Sequence, residues 1–258
     1  MVAGLQTSRA QKMIVRTTDN TVTEFDVTKV ADVTFVEASP TPDPGNHEWV
    51  DLGLPSGTLW ATCNVGANSP EEYGDYFAWG ETKPKDEYNW STYKWMNAGQ
   101  SSWKQINKYT FADGKTDACW YDGNGNFIGD GKTELDPEDD AATANWGSGW
   151  QMPSYDQIKE LINSEYTTTE WMTRGGVNVK GRLITSKSNG KSIFLPAAGY
   201  RYDASLYIAG SYGYYWSRSL HSHNSDHAYY LNFSSGYIRW DNYNRYYGHS
   251  VRPVRVKN

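Results

Sequence analysis

Twelve Trp and twenty Tyr sit in a chain of 258 residues whose Leu, Ile, Val and Phe together fall below the ~20% that often accompanies disorder. Disorder of that kind also requires few aromatics and a high net charge. Here aromatics make up 15% of the residues and the net charge is −6. The chain therefore folds only if indole and phenol rings take the place of aliphatic side chains in its core. No run approaches the ~18 consecutive apolar residues of a membrane helix, so no membrane span is expected. The acidic balance lacks the basic face that nucleic acid requires.

The opening residues, Met1-Val2-Ala3-Gly4-Leu5-Gln6-Thr7, carry neither a charged n-region nor an apolar h-region, so no signal peptide is expected within the sequence given. Cys63 and Cys119 are too few for a disulfide framework or a zinc site, and neither lies in a C-x-x-C. One bridge and two buried thiols are both open, buried thiols being the plainer reading.

Residues 1–37 read as a small β module. Met13-Ile14-Val15-Arg16, Val22 to Val27 and Val33-Thr34-Phe35-Val36 are short β-branched strands, with a turn at Asp19-Asn20. Residues 38–46 carry Pro40, Pro42 and Pro44 at alternate positions, which suits an extended linker. From 47 to 258 Trp, Gly and Tyr recur throughout, as in one further domain. Val50 to Ala61 predicts two short strands about a Pro55-Ser56-Gly57 turn, and residues 80–134 predict long loops. The clearest helix follows Pro153, capped by Ser154, with Ile158, Leu161 and Ile162 on one face. A helical turn is expected after Pro137 with Asp136 as its cap, and Ser192 to Pro196 reads as a core strand. Trp146, Trp150 and Trp216 are expected in the core.

Residues 200–249 hold four of the five His and most of the Tyr, with Asn, Ser, Asp and Arg between recurring apolar residues such as Trp216, Leu231, Phe233 and Trp240. In Ala228 to Phe233 and Gly236 to Trp240 alternate side chains face opposite ways, so Tyr230, Asn232, Tyr237 and Arg239 are expected to be presented.

Five blocks carry a resemblance. They are Trp49-Val50-Asp51-Leu52-Gly53-Leu54-Pro55-Ser56-Gly57-Thr58-Leu59-Trp60-Ala61, Leu135-Asp136-Pro137-Glu138-Asp139-Asp140-Ala141-Ala142, Trp146 to Pro153, Phe194 to Tyr200, and Tyr215-Trp216-Ser217. Together they resemble a paralogous domain of proteins secreted by gut Bacteroidetes, of the formylglycine-generating-enzyme branch of the C-type lectin fold. The resemblance spans roughly residues 47–256. It implies an α+β, C-type-lectin-like fold with few helices, short strands and long loops, preceded by the small β module. It also implies an extracellular or cell-surface location, with any leader or lipid anchor outside the sequence given.

The C-terminal run is similar to the variable region of a diversity-generating retroelement target, in which adenine mutagenesis turns Asn codons into Tyr, His, Asp, Ser, Arg and Ile. The implied function is a receptor or adhesin whose hypervariable surface binds a protein or glycan on a cell, phage or host. Tyr and adaptable polar residues suit such a paratope. The expected ligand-binding residues are Tyr202, Tyr207, Tyr212, Tyr214, Arg218, His221, His223, Asp226, His227, Tyr230, Tyr237, Arg239, Asp241, Tyr243, Tyr246, Tyr247 and His249.

The alternatives are a glycan-binding surface protein of the same fold without diversification and, third, an enzyme. Formylglycine-generating relatives use cysteine chemistry near the C-terminal part of the fold, but no Cys follows Cys119. His221-x-His223 could bind zinc, although the same residues arise from mutagenised Asn codons. Calcium-lectin signatures are absent, since neither Glu-Pro-Asn nor Gln-Pro-Asp occurs and Trp240-Asp241-Asn242 has the wrong order. Asp122 opens an EF-hand-like loop, but Phe127 and Thr133 stand where Gly and Glu are needed. Glu138, Asp139 and Asp140 could chelate calcium, but they are better read as helix-start acids that pair with Lys or Arg. No catalytic residue, metal or cofactor is expected.

Overall fold

Thr58 to Ala61 forms a strand buried along its whole length, and it pairs on one side with the start of its own domain and on the other with the end. The computed structural model describes residues 12–16, 22–26, 47–174, 176 and 178–256. The chain divides into two compact units, Met1–Ser39 and Pro40–Asn258. In the first, β1 (Lys12–Arg16) runs antiparallel to β2 (Val22–Asp26), with an exposed Lys12–Glu24 ion pair at 2.6 Å. The strand expected at 33–36, the turn at Asp19-Asn20 and the linker at 38–46 lie outside the described residues.

The second unit is mostly β. Its strands form three three-stranded sheets and a hairpin among the described residues. β3 (Trp49–Asp51), β4 (Thr58–Ala61) and β13 (Val254–Val256) make the first, with Trp60 opposite Val50 and Val254. The Pro55-Ser56 turn lies where the sequence puts it. β5 (Thr167–Arg174), β6 (Val179–Ser186) and β7 (Ser192–Pro196) make the second sheet, and β8 (Tyr200–Tyr202) pairs with β9 (Ser205–Tyr207). β10 (Gly213–Leu220), β11 (His227–Phe233) and β12 (Ile238–Asn244) make the third.

The two α-helices are short. α2 (Tyr155–Leu161) starts in the capping box that Ser154 and Gln157 encode, with Ile158 and Leu161 buried. The helical turn expected after Pro137 is present as a 3-10 turn at Pro137–Asp139 with Asp136 at its N-cap position, and α1 (Ala141–Trp146) follows it. Asp140 caps the helix, accepting from the N–H of Ala142 at 2.8 Å and of Thr143 at 3.0 Å. Asp136 makes no side-chain cap bond and pairs instead with Lys108 and Lys132.

The core falls into two parts. One is largely aliphatic and joins Leu52, Leu54, Ile158, Leu161, Ile184, Ile193, Leu195 and Leu231 around Trp60, Tyr215 and Phe233. The other is aromatic and includes Trp79, Tyr88, Tyr93, Tyr109, Trp120, Trp146, Trp150 and Trp216. Buried rings with polar tips must satisfy them, and here they bond to loop carbonyls. Trp79 Nε1 donates to Ser217 O at 2.8 Å, Trp216 Nε1 to Phe77 O at 2.9 Å, Tyr93 Oη to Trp79 O at 2.7 Å and Tyr88 Oη to Tyr76 O at 2.6 Å. Long loops thereby gain the backbone partners that sheets obtain from ladders.

Two fully buried arginines extend this device. Arg252 donates to Asn64 Oδ1 and to the carbonyls of Ala61, Thr62 and Phe194. Arg245 donates to Tyr93 Oη at 2.9 Å and to the carbonyls of Tyr109, Ser225 and Lys108 at 2.9–3.0 Å. Its guanidinium also lies 4.7 Å from the Trp79 ring centroid. Cys63 and Cys119 are free and half-buried, and Cys119 Sγ donates to Ile106 O at 3.0 Å.

Candidate binding surface

Register decides which C-terminal side chains meet. In the third sheet Tyr214 lies opposite Asn232 and then Arg239, Trp216 opposite Tyr230 and then Asp241, and Ala228 opposite Tyr243. Directly paired residues share a face, so Tyr214, Tyr230, Asp241, Tyr243 and Arg239 lie together. The other face carries Tyr215, Leu231 and Phe233 into the aliphatic core.

The β8–β9 hairpin and the loop after β12 add further rings. Tyr202 stacks on Tyr247 at 5.3 Å, Tyr246 on Tyr247 at 4.4 Å, and Tyr243 meets Tyr247 at 4.6 Å. Tyr212 lies 6.3 Å from Tyr214, and Tyr207 stacks on Tyr200 at 5.5 Å. The result is one connected aromatic face.

Tyr200 stands at its centre and was missed as a site residue, because its sequence block read as scaffold. It touches Tyr207, Tyr214, Tyr247 and His249. The signal was available in the alternation Tyr200-Arg201-Tyr202, which puts both tyrosines on one side of a strand. With Tyr214, Tyr230, Tyr243 and His249, Tyr200 lines a cavity of about 130 Å3.

Several expectations of exposure need correction. Tyr230 and Asn232 are buried because other side chains cover them, Tyr214 and His249 packing on the Tyr230 ring and Tyr237 bonding over Asn232. Tyr246 and Tyr247 are nearly buried by their mutual stacking, and His249 is only 1% exposed beneath the tyrosines. These residues form the floor of the surface. Its outer layer is Tyr207 at 40% and Tyr243 at 42% exposure, with Arg239, and half-buried Tyr202, Tyr212, Tyr237 and Asp241. Arg239 pairs with Asp241 at 2.9 Å and covers the Tyr237 ring, whose Oη donates to Asn232 Oδ1 at 2.7 Å.

Burial raises the phenol pKa of Tyr214 to about 12 and that of Tyr230 and Tyr247 further, so the floor is neutral phenol at any ordinary pH. Burial also holds His249 well below the usual imidazole range.

Arg218, His221, His223 and Asp226 do not join this face, and His227 only reaches its edge, with its ring 6.4 Å from that of Tyr243. Arg218 lies in the irregular stretch of β10 after Trp216, ion-paired to Glu134 at 2.8 Å and donating to Gln151 Oε1 at 2.7 Å. Asp226 is buried and paired with Lys115. His221, His223 and His227 gather at the turn before β11, with ring centroids 5.7 and 6.3 Å from His221. His227 Nδ1 is bonded to Asn242 Oδ1 at 2.7 Å and His223 Nδ1 to Ser222 Oγ at 2.8 Å. Burial and the two neighbouring imidazoles lower the pKa of His221.

Among the described residues, three metal-ligand atoms converge only at Asp136, Glu138 and Asp139. There Lys94 and Lys108 already hold Asp139 at 2.9 and 2.6 Å, and Lys132 and Lys108 depress Asp136 to about 2. Asp122 accepts from Asn124 N, Asn126 N and Asn126 Nδ2 within its own loop, as a turn residue does.

Two further features were not expected. Trp240, one of the apolar residues recurring between the polar ones, is 43% exposed and meets the stacked Tyr155–Tyr229 pair edge-on. Beside that pair lies a cavity of about 320 Å3 lined by Tyr155, Tyr229, Glu134, Asp156 and the hydroxyls of Thr133, Ser154, Ser219 and Ser222. Leu206 and Ile208, flanking Tyr207, are also exposed.

No curated protein and no solved structure matches the chain. Residues 177–254 match the model of a domain of unknown function, DUF8237, and that segment contains the whole aromatic face.

Proposed function

We propose that this chain is a ligand-binding protein of receptor or adhesin type, displaying a variable surface on a C-type-lectin-like scaffold at the cell surface or outside the cell. The observation that carries this reading is the joining of tyrosines from β8, β9, β10, β11, β12 and the loop after β12 into one face, seated on buried His249 and Trp216. Tyr offers large contact area with little rotamer entropy to lose, and the interleaved Asn, Asp, Ser and Arg adapt their hydrogen bonds. The buried floor fixes the backbone while the outer residues are free to change. That division suits a diversity-generating retroelement target of the Bacteroidetes secreted paralogous family that the sequence blocks resemble. In this reading the chain binds and does not catalyse.

A library randomised at Tyr207, Tyr212, Tyr237, Arg239 and Tyr243, displayed on yeast and panned against lysozyme as an arbitrary target, tests it. Folded binders are expected, with stability changes within about 0.5 kcal/mol per position. Library members that fail to fold, or fold and never bind, would sink the reading. In the source genome, a reverse-transcriptase gene beside a near-copy of the codons for 200–254, differing only at adenines, is expected.

Glycan binding without diversification is the second reading. The Tyr155–Tyr229–Trp240 aromatic corner beside hydroxyls and carboxylates favours it, since sugars stack on rings and bond to such groups. A glycan array that lights up for this chain and dims for Trp240→Ala would support it.

A further inference from the structure

The tyrosine-lined cavity is too small for most of a partner's surface, yet it has a definite chemistry. Its volume of about 130 Å3 is bounded by Tyr200, Tyr214, Tyr230, Tyr243 and His249, comparable to the ~150 Å3 cavity that accepts benzene in an engineered protein core. Its walls are aromatic rings, whose faces carry negative quadrupole potential. No Lys or Arg lines it. Arg239, one register position away from Asp241, is neutralised by that carboxylate at 2.9 Å. His249 is buried, and burial keeps its imidazole neutral, so it does not repel a positive charge.

We propose that this cavity seats one cationic side-chain head, an alkylammonium or guanidinium, presented by the protein partner. The proposal rests on the binding-surface reading and names the chemistry at its centre. The cation would sit among the tyrosine rings and beside an imidazole that burial keeps neutral and therefore unrepelling. A neutral apolar group of the same size would gain burial but not the cation–π attraction. A hexose would reach the rings with one edge only.

The test is an NMR titration of the full chain with n-butylammonium, n-butylguanidinium and n-butanol, following the His249 imidazole and the tyrosine ring signals. Both cations are expected to shift those signals saturably and to bind about tenfold more tightly than n-butanol. Tyr243→Ala, at an exposed wall, is expected to weaken the cations about fivefold with an unchanged melting temperature, and Tyr243→Phe to restore them. Equal binding of n-butanol, or cations that leave the His249 signals in place, overturns the proposal. The library experiment fails or succeeds separately. Binders from the library with no cation preference sink only the cavity assignment, and a cation-selective cavity with no library binders sinks only the variable-surface reading.

Discussion

The imidazole of His249 lies flat on the indole of Trp216, with ring centroids 4.0 Å apart and planes within 24°. The stack joins the floor of the aromatic face to the tryptophan core, and it puts a titratable group where water does not reach. Burial depresses the pKa of His249, so the unfolded chain takes up a proton near the ordinary value of ~6.5 while the native state does not. Stability is therefore retained above ~6.5 and falls as pH drops below it. His221, lowered by burial and by His227 and His223, adds a contribution of the same sign. Melting curves between pH 7.5 and 5.5 are expected to show an acid-side loss that His249→Phe reduces. An unchanged slope in that variant would refute the assignment.

Arg245 and Arg239 are six positions apart and should behave oppositely. Arg245→Met leaves buried carbonyls of Lys108, Tyr109 and Ser225 without their donor, so denaturant unfolding should show a loss of about 3–5 kcal/mol. Arg239 is exposed and paired at the surface, so Arg239→Ala should cost under about 1 kcal/mol.

Gly213 exists for Phe233. A Cβ at residue 213 would fall 2.1 Å from the Phe233 ring, so Gly213→Ala is expected to destabilise by about 1–3 kcal/mol through overpacking. Phe233→Leu in the same chain should recover part of that loss, as a double-mutant cycle would read out.

Ile208 holds a positive φ of 48°, unfavourable for a β-branched residue, while its side chain stands exposed beside Tyr207. Strain at an exposed position is the pattern of a residue retained for contact rather than stability. Ile208→Gly is expected to stabilise the unit by roughly 0.5–1 kcal/mol, the relieved strain exceeding the added chain entropy. A lower melting temperature would contradict this account.

Local signals proved legible. The Ser154 cap, the Pro55-Ser56 turn and the buried strand Ser192–Pro196 each depend on neighbours a few residues away. Non-local ones were not. Alternation along β11 predicts one buried face, but side chains from β10 and from the segment after β12, Tyr214 and His249, cover the other as well. In sequence Arg245 is one more polar residue of the C-terminal run, and its acceptors come from loops more than a hundred residues earlier. Asp136 stands at the start of the expected turn, but its carboxylate pairs with Lys108 and Lys132, and the side-chain cap of α1 comes from Asp140. Of the expected site, the tyrosines come together through sheet register, the β8–β9 hairpin and the loop after β12, with His227 at their edge, whereas Arg218, His221, His223 and Asp226 lie apart from them.

The strand that completes the first sheet, β13, comes after every codon of the aromatic face, and its partner β4 comes before them all. A frameshift or stop anywhere in the surface-coding stretch therefore removes the Val254 pairing with Trp60 and leaves a buried strand with an open edge. Such long-range closure makes folding a test of an intact reading frame. A chain cut short within the aromatic face therefore loses its closing strand together with the surface.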